Sequence, residues 1–395
     1  MNEWKKVRFL DVVHLNPRIS LEKGVEYPFV EMSNVVPCAR KPEKDVFKKY
    51  LGEGTKFEQG DTIVARIEPC LQNGKGFQCS YKQGFGSTEF LVFRPVNIND
   101  LDCDFLYYYM GQQSIREAMA KTMVGASGRQ RVNNKVFNDL QINLPPLSTQ
   151  HCIANILSRY DSLIENYQKQ IKLLEEAAQR LYKEWFVDLQ FPGHENTKIV
   201  DGVPEGWEKK PVKTIIELQS GYAFKSSAFM EDGIYKIVTI KNVKDGAFDG
   251  ENVSKIASIP EKMPKHCILE DGDILLSLTG NVGRVCIVNG KNYLLNQRVA
   301  KLKSAYKAYT YCLFRSRDMF IEVNNLANGA AQQNVSSIRI GEMKILIPEK
   351  KWLDDFERTV SNYILGIITL QSQIRFLTEA RDRLLPKLMS GEIAV

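Results

Sequence analysis

The sequence predicts an α+β fold in which one plan is written twice: two similar globular units, each followed by a long helix. The two helices are expected to pair antiparallel as an intramolecular coiled coil, relating the halves by a pseudo-two-fold axis. Three observations carry this. The 395 residues exceed one ordinary domain and suffice for two or three, each with its own core. A repeat recurs at a constant separation of 203 residues, where Val132, Leu140, Ile142, Leu144 and Pro145 map onto Val335, Met343, Ile345, Ile347 and Pro348. A heptad stripe follows each copy.

The first unit, residues 1–147, reads as short alternating strands punctuated by glycine and asparagine, with a helical patch over 104–121. Asn143-Leu144-Pro145-Pro146-Leu147 closes it, and Ser148 or Thr149 suits the cap of a helix beginning near Gln150. That helix occupies 148–190 and ends at Phe191-Pro192-Gly193. Residues 191–349 hold a polar linker, through Val203-Pro204-Glu205-Gly206-Trp207, and the second unit with its helical patch over 307–325; residues 350–395 are the second helix and C-terminal segment. Looser matches support the repeat. Phe29 to Val35 answers Ile237 to Val243, and Gln59-Gly60-Asp61-Thr62-Ile63-Val64 answers Asp271-Gly272-Asp273-Ile274-Leu275-Leu276.

The helices give the most regular signal. Ile153, Leu157, Tyr160, Ile164, Tyr167, Ile171, Leu174, Ala178, Leu181 and Trp185 alternate spacings of four and three, and Phe356, Val360, Tyr363, Ile367, Leu370, Ile374, Leu377, Arg381, Leu384 and Leu388 repeat the pattern. Only Arg381 breaks the apolar rule. A period of 3.5 residues means supercoiled helices rather than helices lying on one globular core. The residues expected to pair the helices are Ile153, Leu157, Ile164, Ile171, Leu174 and Leu181 with Phe356, Val360, Ile367, Ile374, Leu377 and Leu384.

Composition narrows the function. Apolar residues at 44% and charged residues at 25% describe a globular chain, and no stretch approaches eighteen uncharged apolar residues. Lys5, Lys6, Arg8, Asp11 and Pro17 stand where a signal peptide needs its apolar run, so a cytoplasmic protein without membrane contact is expected. Eight cysteines without a Cys-x-x-Cys pair read as reduced packing residues. The charge of +6 permits a polyanionic partner. Gly54-Thr55-Lys56 and Gly74-Lys75-Gly76 lack phosphate-loop spacing, Gly84-Phe85-Gly86 lies in a turn-rich stretch, and four scattered histidines offer no ligand spacing. Asp271-Gly272-Asp273 fits a hairpin turn better than a cation site. No catalytic or metal-binding residue is assigned, and no cofactor is expected on this chain.

Base reading in the major groove favours Arg or Lys for guanine and Asn or Gln for adenine, because each can form two parallel hydrogen bonds to one base edge. Such residues cluster at matching places. The first half offers Arg129, Gln130, Arg131, Asn133, Asn134 and Lys135, and the second, 203 residues on, offers Gln332, Gln333, Asn334 and Ser336. Nearly every polar residue differs across the repeat, as two readers of different sequences on one scaffold would. A second candidate pair is Arg66 to Lys75 with Asn281 and Arg284; a third is Ser87-Thr88-Glu89 with Asn296, Gln297 and Arg298. Lys121, Lys241 and Lys244 suit phosphate contacts.

The chain resembles the specificity subunit (HsdS) of type I restriction-modification enzymes over essentially its whole length. The resemblance rests on Asn16-Pro17-Arg18, on Leu144-Pro145-Pro146-Leu147-Ser148-Thr149-Gln150, and on Leu181-Tyr182-Lys183-Glu184-Trp185-Phe186. Gly206-Trp207 and Leu384-Leu385-Pro386-Lys387-Leu388-Met389-Ser390-Gly391-Glu392-Ile393 complete it, while Ile347-Pro348-Glu349-Lys350 departs by lacking the double proline and glutamine. It implies two target recognition domains separated by two helices, binding a bipartite site on double-stranded DNA. It also implies two modification subunits that bind S-adenosylmethionine and flip the target adenine, joined by restriction subunits that use ATP and Mg. The alternatives are a DNA methyltransferase or nuclease with unfamiliar motifs, and a coiled-coil adaptor that binds only protein. The heptad reading has a direct test: one residue inserted at Lys172 rotates the rest of the stripe by about 100° and should abolish cooperative thermal unfolding, whereas unchanged melting would refute pairing through the stripe.

Overall fold

The computed structural model describes residues 4–126, 128–251, 253–327 and 333–395. The chain divides into two compact units, Met1–Glu165 with Phe376–Val395, and Asn166–Arg375. Each is mixed α+β.

In the first unit one four-stranded sheet runs in the order Val13–Leu15, Phe90–Pro95, Thr62–Ala65, Gly76–Gln78, antiparallel throughout. A second runs Phe47–Lys49, Glu26–Val30, Gln83–Gly86, Thr55–Glu58, with its middle pair parallel. Successive side chains of a strand point to opposite faces, and here both faces are covered. Val64, Leu91 and Phe93 pack towards the helices Cys103–Gly111 and Gln113–Ala120, whereas Ile63, Phe77, Phe90 and Val92 pack with Val30 and Phe57 of the second sheet. Lys5–Arg8 pairs with Gln141–Leu144, immediately before the long helix Leu147–Tyr182.

The second unit repeats this topology strand for strand. One sheet runs Glu217–Ser220, Val299–Lys303, Ile274–Ser277, Val285–Ile287. The other runs Ser254–Ile256, Tyr235–Val238, Tyr293–Leu295, Ile268–Leu269, again with a parallel middle pair. Glu208–Pro211 pairs with Lys344–Ile347 just before the long helix Lys350–Ser390. The repeat inferred from scattered apolar positions is a repeat of element order and register.

The matched Gly-Asp segments each carry the chain from one sheet to the other, so Asp271-Gly272-Asp273 is a crossover turn and not a hairpin. Gly60 and Gly272 take φ of 88° and 85°, a backbone region that favours glycine. Asp61 and Asp273 each accept from the backbone three residues back, Glu58 N–H at 2.8 Å and Glu270 N–H at 2.9 Å. Each is then neutralised by a neighbouring strand: Asp61 by Arg94 at 2.6 Å, Asp273 by Lys301 at 2.8 Å.

Both long helices enter both cores. In the first, Ile153 and Leu157 lie with Leu388, Met389 and the partly buried Leu384. In the second, Ala178, Tyr182, Trp185 and Phe186 lie with Leu353, Phe356, Val360 and Ile367, and Ile171, Leu174 and Leu181 pack at the edge. Within the second unit the helices run antiparallel, since Leu174 approaches Gly366 while Tyr182 approaches Phe356. The stripes lie on globular cores as well as on each other, which corrects only the expectation that a period of 3.5 residues excludes core packing. Ile164 is buried, but Ile374 and Leu377 are only partly so and belong to neither core.

Several boundaries also differ. The patches at 104–121 and 307–325 each break into two helices, at Gln112 and at Ser316, whose hydroxyl caps Arg317–Asn325. The first long helix starts at Leu147, so Ser148 and Thr149 lie inside it. Gln150, fully buried, satisfies the surrounding backbone by accepting from Asp102 N–H and donating to the Asp100 and Pro145 carbonyls. Cys38 and Cys152 are exposed and are not packing residues, while burial pushes the Cys103 thiol up to about 11 and the Cys79 thiol up to about 12. Phe356, with no exposed surface, meets the rings of Trp185 at 5.7 Å and Phe186 at 4.9 Å. Phe356→Ala should cost about 3–5 kcal/mol of unfolding free energy, measured by denaturant titration; a loss below about 1 kcal/mol would show that this core does not depend on the helix contact.

Candidate nucleic-acid interface

The three candidate segments of the first unit, separate in sequence, meet through the backbone. Arg66 N–H donates to the Glu89 carbonyl at 2.9 Å, Val132 N–H to the Arg66 carbonyl at 2.9 Å, and Glu68 N–H to the Gln130 carbonyl at 3.0 Å. The second unit makes the same three bonds at the matching positions. Leu278 N–H donates to Arg298, Val335 N–H to Leu278, and Gly280 N–H to Gln333, each at 2.9 Å. Every residue carries a backbone acceptor and every residue but proline a donor, so this framework tolerates wide exchange of side chains.

Val132 and Val335, and Gln130 and Gln333, are alike, whereas the other side chains of the clusters differ. In the first unit Arg131 donates from Nε and Nη2 to Glu89 at 2.5–3.0 Å, leaving its end-on pair of N–H groups uncommitted. The hydrogen bonds and charge of Arg131 hold the Glu89 carboxyl below its ordinary value, and Glu89 in turn raises Arg131. Arg66 is half-buried, its Nε has no hydrogen-bond partner among the described residues, and it lines a cleft of about 500 Å³ with Arg18, Lys56 and Thr88. In the second unit the matching positions hold Leu278, Arg298 and Asn334. Thr279 donates its hydroxyl to Asn334 Oδ1 at 2.9 Å, and the exposed Gln297 and Arg298 line a cleft of about 710 Å³ with Lys241.

The remaining candidates fall into three groups. Arg129, Asn134, Lys135, Asn281 and Gln333 are exposed, and Gln130, Asn133 and Arg284 partly so. Ser336 caps the helix Ser337–Gly341 by accepting from Arg339 N–H at 3.2 Å, and Asn133 accepts from Lys135 N–H at 3.1 Å, so both shape the loop itself. Lys75 is tied by its Nζ to the Met32 carbonyl at 2.8 Å, which makes it a brace rather than a free cation. Lys121 and Lys244 are exposed, and Gln332 lies outside the described residues. Arg18 shares the Arg66 cleft, which no local feature of the sequence signals, and Lys56 beside it is tied by its Nζ to the Ile19 carbonyl at 3.1 Å. Among the described residues no cluster of His, Cys, Asp and Glu could hold a metal ion, and no helix is long and apolar enough to cross a membrane.

Glu89 yields a prediction. Its folded value is depressed, so the stability it contributes is present above its ordinary value of 4.5 and is lost as pH falls through the lowered one. Glu89→Gln should remove that part of the acid limb in denaturant titrations across pH 3–6; an acid limb identical to wild type would show that the pair contributes nothing. The effect is small because water screens the half-exposed Arg131.

Comparison with known proteins agrees with this double arrangement. A family profile described as the type I restriction modification DNA specificity domain matches residues 1–176 and again 204–360. The MjaVIII specificity subunit of Methanocaldococcus jannaschii is 29% identical over 309 residues, 75% of this chain and 71% of that protein. The HindI specificity subunit of Haemophilus influenzae is 21% identical over 100% of both chains. The crystal structure of the type I restriction-modification S subunit from M. genitalium superposes with a TM-score of 0.53 at 17% identity, over 98% of this chain and 96% of that one, and so shares the fold. The chain belongs to the DNA specificity subunits of type I restriction-modification enzymes, the non-catalytic chains that recognise the DNA sequence.

Proposed function

We propose that this specificity subunit reads a bipartite site on double-stranded DNA, one part with each unit, through the paired loop clusters at Arg66, Glu89 and Gln130–Asn134 and at Leu278–Asn281, Gln297–Arg298 and Gln333–Ser336. The observation that carries the reading is the same set of backbone bonds in both units beside unlike side chains at Arg66 and Leu278, Glu89 and Arg298, and Arg131 and Asn334. A fixed framework with exchangeable donors and acceptors is what two readers of different base sequences require. In the first unit Glu89 orients the Arg131 fork for a guanine edge, and Arg18 and Arg66 take phosphates. In the second, Asn334 suits adenine, Arg298 suits guanine, and Lys241 takes a phosphate. The chain works in the cytoplasm as the scaffold of a larger enzyme. Two modification subunits bring S-adenosylmethionine, and restriction subunits bring ATP and Mg.

Replacing residues 200–348 with the equivalent segment of a relative should change one part of the methylated motif, read by sequencing DNA from a host expressing the system; a change in both parts would contradict independent reading. Arg131→Ala or Asn133→Ala should weaken binding of the assembled complex to its own site about 5- to 150-fold. Equal weakening on unrelated DNA would mark a phosphate contact instead.

A further inference from the structure

We infer that the Asp161–Arg381 pair, seconded by unequal side chains at the helix ends, makes the two halves of this chain select each other and reject a second copy of themselves.

A repeat protein with two similar helices faces an ambiguity: each helix could pair with its own kind from another molecule. Arg381, the one charge in either heptad stripe, lies in the first unit with its carboxylate partner Asp161 at 2.6 Å, their side chains 10% and 6% exposed. Asp161 also accepts from the Tyr108 hydroxyl at 2.5 Å, and Arg381 donates to the Cys38 carbonyl at 3.1 Å. Burial alone would lower the Arg381 guanidinium, but the charges of Asp161 and Asp382 outweigh it and hold it above its ordinary value.

Shifted by the 203-residue repeat, these two positions become Ile364 and Ala178, both buried in the core of the second unit. One pair of heptad positions is thus charged in one unit and apolar in the other. If two copies of the first helix paired in the same register, each Asp161 would face Ala178. Two copies of the second helix would set each Arg381 against Ile364. Either arrangement strands buried charges, which is strongly unfavourable, whereas a satisfied pair is often no more stabilising than an apolar one. The pair therefore acts on partner choice more than on stability, as a lone polar residue does in a coiled-coil seam.

Side-chain volume points the same way. The first core closes on Leu388 and Met389, and the repeat counterparts closing the second core are Trp185 and Phe186. Like-with-like pairing would force an indole and a phenyl ring into space built for Leu and Met, and would leave the second core underfilled.

The test uses the whole chain. A protease site placed between the exposed Asp201 and Gly202, the turn of the short hairpin Ile199–Val200 with Val203–Pro204, allows cleavage after folding. The halves are then exchanged in mild denaturant, returned to buffer and weighed by native mass spectrometry. Wild-type halves should return almost wholly as mixed pairs. D161I/R381A, which gives each position its repeat counterpart, should lower the ratio of mixed to like pairs at least about tenfold. A random mixture from wild-type halves would overturn the inference, and so would a wild-type ratio from the double variant. Should the double variant fail to refold, the wild-type distribution decides by itself.

Discussion

Trp185 and Phe186, in the π-helical turn Lys183–Val187 that continues the first long helix, are buried in the core of the second unit; Leu388 and Met389, near the end of the second, are buried in the core of the first. Neither copy of the repeat, taken as a stretch of sequence, completes a core from its own residues. The constraint is mutual closure. Each sheet-and-helix layer needs apolar cover, and the cover comes from the helix that follows the other copy. Covalent continuity makes that cover available at high effective concentration, and the heptad spacing keeps one face turned inward over the whole length. The opening strand of each unit then pairs with the strand that leads into its own long helix, Lys5–Arg8 with Gln141–Leu144 and Glu208–Pro211 with Lys344–Ile347. Each unit is thus tied to the start of the helix that will leave it.

On that frame the candidate recognition loops are held in a way that separates architecture from chemistry. Three backbone hydrogen bonds join three loops in each unit, and none of them depends on side-chain identity. Side chains at the same places can vary without loosening the platform, from Arg66, Glu89 and Arg131 in one unit to Leu278, Arg298 and Asn334 in the other. A preorganised platform matters for reading bases, because discrimination rests on paired hydrogen bonds whose directions must be fixed before contact. The Glu89–Arg131 pair holds one edge of the guanidinium and leaves the other open.

Much of this was legible before any coordinates. The repeat separation, the mixed α+β character and the long stripes follow from apolar periodicity, a local property that survives in the sequence. Arg381 was visible as an exception. Its meaning was not, because Asp161 lies 220 residues away and only the fold brings the two together. The same holds for the recognition surface, whose segments could be named separately although nothing local said that Arg66, Glu89 and Val132 share a ladder of backbone bonds. Lys75 misled for a related reason: a lysine beside glycines looks free until the carbonyl of Met32 is found above it. The breaks at Gln112 and Ser316 were missed because the apolar pattern runs across them, while the extended backbone at each, with ψ of 140° and 146°, stops the helix.

The central claim is that matching loop clusters in both units meet the DNA. Hydrogen exchange measured by mass spectrometry, on the chain assembled with its modification subunits and with or without its own DNA site, tests it most directly. The account predicts slowed exchange on DNA binding at residues 66–68 and 129–134 of the first unit and at 278–281 and 333–336 of the second. Protection confined to one unit, or found in both units only away from these loops, would contradict it.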